Sequence, residues 1–119
     1  SNEAYYTLQN NVNTALGEVE NALFDVQSKK RQVQNTQNVY EIGVKAYESN
    51  SAKNKRGLLD KNDFLNNENT YLNLQTQLHS AKTNEILSLI TLFKALGGNL
   101  ALEQIENPQK EQSPQGNKE

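Results

Sequence analysis

Few residues in this chain could carry chemistry. His79 is the single histidine and cysteine is absent, so no set of ligands with metal-binding spacing exists. Serine and threonine are scattered without a histidine or lysine base at a suggestive distance. No pair of carboxylates lies in an apolar setting that would raise one pKa for acid–base work. Gly97 and Gly98 follow an apolar run instead of opening a helix, so they do not form a phosphate loop. Lys29, Lys30 and Arg31 read as a solvated face. These absences argue against an enzyme, and no cofactor or metal is expected. What remains is a pair of carboxylates, Asp60 and Asp63, beside a turn. One of them suffices to cap a helix. The alternative is that several copies meet and their carboxylates form a ring.

The elements that would position such a ring follow from composition and spacing. Of 119 residues, 18 are Asn and 11 Gln, against three Phe, five Tyr and no Trp. That is too little apolar surface for a thick core, but enough for narrow seams between long helices. A net charge of -2 excludes both a charge-driven disordered chain and the basic stripe that nucleic acid requires. The stretch Ile86 to Leu96 is interrupted by Ser88, Thr91 and Lys94 and is too short to cross a bilayer, so the piece itself is expected to be soluble.

Tyr5, Val12, Val19, Val26, Val33, Tyr40 and Tyr47 recur at every seventh residue. Leu8, Ala15 and Ala22 occupy the position three residues further on, and Leu16, Leu23 and Val44 flank the stripe. This heptad seam predicts a coiled-coil helix over residues 1–56, whose uninterrupted stretch 3–48 is about 70 Å long at about 1.5 Å per residue. The second seam position then degrades to Lys29, Thr36, Gly43 and Asn50. Gly43 implies either a close neighbour or a locally loose helix.

Between Glu48 and Phe64, Asn, Ser and Gly collect. Gly57 can end a helix in the left-handed conformation, with Lys53, Lys55 and Arg56 suited to the helix C-terminus. Residues 57–59 form the expected turn. Asp60 or Asn62 can cap a second helix over 60–98, with Asp63 in its first turn. Its expected stripe runs through Phe64, Leu65, Tyr71, Leu72, Leu78, Ala81, Ile86, Leu89, Ile90, Leu92, Phe93 and Leu96. Gly97 and Gly98 are expected to end it, leaving 99–119 as a mostly disordered tail. Folding at Gly57 gives an all-α, antiparallel coiled-coil hairpin in which facing residue numbers sum to roughly 117. Tyr47 then meets Tyr71, and Val26 meets Leu92. The assembly seam comprises Val12, Val19, Val26, Val33, Tyr40, Tyr47, Ile86, Ile90 and Phe93. Its end near Ile86–Leu96 is broader than one partner helix can cover. Further helices are expected, from a longer polypeptide or from other copies.

Three segments carry a resemblance to a known family. "LSLITLFKALGGNL" resembles the "L-x-L-x-x-L-x-K-A-L-G-G" ending of the outer-membrane efflux proteins, the TolC-like outer-membrane factors. "NTALGEVENALFDV" is similar to their "N-A-x-x-E-V-E-N-A-L" helix. "GLLDKNDFLNNENTYLNLQTQL" fits their "G-L-x-x-x-x-D-V-L-x-A-x-x-x-L-L-x-x-Q" pattern through Gly57, Leu58, Asp63, Leu65, Leu72 and Gln75, with Phe64 in place of Val.

The resemblance runs from about residue 8 to 100. It implies the C-terminal helical hairpin of a longer protein that forms a homotrimer, with a β-barrel in the outer membrane of a Gram-negative bacterium and an α-helical tunnel in the periplasm. The implied partners are a periplasmic adaptor and an inner-membrane pump, and the implied activity is export of small molecules or proteins. Gly57, Leu58 and Leu59 would form the tip that meets the adaptor. Asp63 falls where the family carries a carboxylate of the closed entrance. Asn66, one turn on, stands where a second would be, and Asn54 and Leu59 replace its other closing residues. A signal peptide, a lipid-anchoring cysteine, barrel strands and a first helical repeat are not in this stretch. The isolated piece is expected to self-associate, as a dimer forming a four-helix bundle or in a partly molten state. A free-standing hairpin interaction module is the rival reading.

Overall fold

A computed structural model of the chain describes residues 1–106. Two helices make up nearly all of it: α1, Asn2–Lys55, and α2, Lys61–Glu106. No strand occurs among the described residues. No proline or β-turn cluster interrupts residues 2–55, so nothing stops α1 from propagating once nucleated.

The buried and half-buried positions of α1 are Leu8, Val12, Ala15, Val19, Ala22, Val26, Lys29, Val33, Thr36, Tyr40, Gly43, Tyr47 and Asn50, with a few flanking residues. Their spacing alternates four and three, which is the heptad seam read from the sequence. The polar residues in the later half therefore face inward as the repeat requires. On α2 the same alternation runs through Phe64, Asn67, Tyr71, Leu74, Leu78, Ala81, Glu85, Ser88, Leu92, Ala95 and Asn99.

The chain divides into two compact units, each drawing on both helices. The tip unit is Gln27–Leu87 and contains the turn. The Val/Ala unit is Ser1–Val26 with the described chain from Ser88 onward. In the tip unit Tyr47 stacks on Tyr71, with ring centroids 4.5 Å apart and planes 14° from parallel. Tyr47 also lies 6.4 Å from Phe64, and Tyr40 6.0 Å from Tyr71. Late residues of α1 thus meet early residues of α2, which makes this unit an antiparallel hairpin. The expected Tyr47–Tyr71 pairing is present.

Gly43 is not a loose point. A Cβ there would collide with the Leu74 side chain, so the glycine forms the hole into which Leu74 packs. The helix keeps a residue that costs about 1 kcal/mol relative to Ala because a neighbour fills its place.

One boundary differs from the expectation. Helix α2 does not end at residue 98; it continues through Gly97 and Gly98 to Glu106. Neither glycine has positive φ, the conformation that ends a helix at Gly57. Asn99 falls on the next seam position and is half-buried, and "NLALEQ" supplies good helix formers, which together outweigh two unfavourable glycines. The tail assigned to 99–119 therefore begins with helix, and the part beyond residue 106 lies outside the described residues.

Candidate functional site

The tip is built by the end of α1. Gly57 has φ +72°, a conformation that only glycine adopts without strain. Its N–H donates to the Asn54 carbonyl at 3.0 Å, and the Leu58 N–H donates to the Lys53 carbonyl at 2.9 Å. This pair of bonds is the Schellman motif, which satisfies carbonyls that the helix end leaves orphaned. The motif usually packs the residue at Leu58's place against the one at Lys53's. Here that partner is a lysine, and Leu58 stays 69% exposed. Leu59 is half-buried.

Asp60 caps α2. Its carboxylate accepts the Asn62 N–H at 3.2 Å, and its carbonyl accepts the Phe64 N–H at 2.9 Å. With Asp60 in that role, Asp63 is left exposed in the first turn, where the helix dipole favours a negative charge. Asn66 is also exposed and lies three residues on, over the same face. Its carbonyl accepts the Thr70 hydroxyl at 3.0 Å. Asp63 and Asn66 thus project together from the start of α2, close in sequence to Leu58.

Behind the tip stands an aromatic cluster that the sequence reading located only in part. Tyr40, Tyr47, Phe64 and Tyr71 stack in series, and the hydroxyls of Tyr40 and Tyr71 lie 3.4 Å apart. The hydrogen bond to Tyr40, reinforced by its proximity, desolvation and the Glu48 charge, raises the Tyr71 pKa above its ordinary 10.0. Alignment of the two heptad series about Gly57 is the signal that finds this cluster.

The Val/Ala unit is built differently. Its seam holds Val12, Ala15, Val19, Ala22 and Val26 on α1, against Ser88, Leu92 and Ala95 on α2. Val26 is only 5% exposed and Ser88 only 4%. The large apolar residues point outward: Leu16, Leu23 and Phe24 on α1, and Ile90, Phe93, Leu96 and Leu100 on α2. Of the residues assigned to the assembly seam, Val12, Val19, Val26, Val33, Tyr40 and Tyr47 face the paired helix. Ile90 and Phe93 do not, and neither does Ile86 in the tip unit. Phe93 is 66% exposed and Ile86 58%. These three belong to a different, outward stripe. On the other side of the Val/Ala unit, Glu18, Asn21, Ala22, Asp25, Thr91, Lys94 and Ala95 line a shallow groove.

No cluster of three or more His, Cys, Asp or Glu that could hold a metal occurs among the described residues. None of the described helices is long and apolar enough to cross a membrane. The chain matches no protein-family model, no curated protein and no solved structure.

Proposed function

We propose that this chain is a hairpin of the periplasmic tunnel of a TolC-like outer-membrane channel, a homotrimer that works with an adaptor and an inner-membrane pump to export small molecules or proteins. The observation that carries the reading is the outward apolar stripe through Ile90 and Phe93 beside a complete heptad seam. A hairpin that had only to pair with itself would put those side chains inside. A tunnel wall needs helices with a second apolar side, because each helix has neighbours on two sides.

The tip suits the entrance of such a duct. Leu58, exposed on a turn whose backbone is fixed by Gly57, is a rigid apolar point for an adaptor hairpin. Three copies of Asp63 near one axis repel each other and attract cations, so closure is sensitive to cation screening. With Asn66 in the neighbouring position, the ring carries one carboxylate per hairpin. Replacement of Asp63 by Asn is expected to weaken block by multivalent cations in single-channel recordings of the full-length protein, and unchanged block contradicts the gate role.

The rival, a free-standing interaction hairpin, is favoured by the self-sufficient aromatic seam of the tip unit. Cross-linking separates the two. Because the segment has no cysteine, a single Cys at Asp63 in the native full-length protein reports its own neighbours. Linked protomers in the outer-membrane fraction support the tunnel, and an uncross-linked product outside that fraction supports the rival.

A further inference from the structure

The outward apolar face of the Val/Ala unit is ordered. On α2, Phe93, Leu96 and Leu100 follow each other at intervals of three and four. This is a heptad series displaced by one residue from the seam series of Leu92, Ala95 and Asn99. On α1, Leu16 and Leu23 are seven apart, each four residues after a seam valine. In an antiparallel pair, positions four residues past the first seam position flank the seam on one side for both helices. Leu16, Leu23 and Leu96 therefore share a side, and Phe93 and Leu100 extend it outward.

We infer that this face is covered by the same face of a second copy of the chain, giving a four-helix bundle in which α1 of each copy lies on α2 of the other. The inference concerns this chain by itself: in the tunnel proposed above the same stripe meets neighbouring helices, and in the chain alone a second copy takes their place. Three observations carry it. First, these five residues and Ile90, each large and about half exposed, offer about 500 Å² of apolar surface per copy. Two copies bury about 1,000 Å², the size of a weak, concentration-dependent pair. Second, the repeats match: Leu16 and Leu23 on one copy have the spacing of Leu100 and Phe93 on the other, so each leucine finds a hole of the same period.

The third observation is the position of Glu20, exposed between Leu16 and Leu23, which selects the arrangement. With α1 on the partner's α1, the two Glu20 carboxylates approach each other and repel. With α1 on the partner's α2, they are held apart on the two rims of the bundle.

Sedimentation equilibrium of the 119-residue chain, from micromolar to near-millimolar concentration, tests this. The expected result is a species of twice the 13.4 kDa chain mass. Phe93→Glu and Leu16→Glu should each weaken it by about thirtyfold or more, with helical circular dichroism retained. Ile42→Glu, at an exposed position of the tip unit, should leave it unchanged. A monomer throughout the range, or equal weakening by all three variants, overturns the proposal. The arrangement is read from cysteine variants: Leu23→Cys mixed with Phe93→Cys should give a disulfide-linked heterodimer. Efficient linking of Leu23→Cys to itself instead overturns it.

Discussion

In the tip unit the aromatic side chains fill the seam, while in the Val/Ala unit they stand outside it. Tyr40, Tyr47, Phe64, Tyr71, Leu74 and Leu78 lie between the helices of the first. The seam of the second is mostly valine, alanine and serine, with Leu8 and Leu92, and Phe93 and Leu100 are on its surface. Both seams follow one heptad, so periodicity does not separate them. Side-chain volume does. Aromatic residues let two helices of the tip unit bury enough to hold each other. Small residues bury little, and leave the second unit's apolar surface for something else. The tip unit carries its aromatic residues inside and leaves Leu65, Leu72 and Ile86 on its surface; the Val/Ala unit has no aromatic residue buried in its seam at all.

Truncation of one large residue in each unit should break this symmetry most. Tyr71→Ala removes a ring stacked on Tyr47 and should cost about 2–3 kcal/mol in urea denaturation. Phe93→Ala, at low concentration where the chain is alone, should cost less than about 0.5 kcal/mol. Equal losses would mean that the two units bury their large residues alike.

A pH effect should appear in the tip unit. The folded state holds the Tyr71 phenol proton more tightly than the unfolded chain does. That contribution is fully present below the ordinary value of 10.0 and is lost as pH rises from there through the raised folded value. Stability in urea should fall in that window, and Tyr40→Phe, which removes the hydrogen bond, should shrink the fall. The smallest contrast lies in the glycines. A Cβ at Gly97 meets nothing, so Gly97→Ala should stabilise α2 by about 1 kcal/mol. Gly43→Ala should gain close to nothing, because Leu74 must move aside. Thermal melts of the two variants measure the difference.

Much of this was legible in the residues. Val12 through Tyr47 gave the seam, Gly57 the turn, and Asp60 one of two cap candidates. A fold at Gly57 placed Tyr47 on Tyr71. What was not legible lay where local and tertiary forces disagree. Gly97 and Gly98 look like a helix end by propensity, yet Asn99 carries the seam past them. On α2 two apolar series run one residue apart, Leu65–Leu72–Ile86–Phe93 and Phe64–Tyr71–Leu78–Leu92. The sequence merged them into one broad stripe, because each alone satisfies a helical period. Leu74, Ser88 and Ala95 were passed over for the same reason, and for Ser88 and Ala95 because small or polar residues carry little pattern. Asp63, Asn66 and Leu58 are all at the tip, but a gate would require other copies to bring their carboxylates together.

The Val/Ala unit needs another surface to cover its large apolar residues, whereas the tip unit buries its aromatic residues in its own seam. Amide hydrogen exchange of the chain at low and high concentration tests this contrast most directly. Protection of residues 12–26 and 88–100 should rise with concentration, and that of residues 33–81 should stay the same. If protection is independent of concentration in both units, or rises only around the aromatic cluster, the outward apolar face is not an assembly surface.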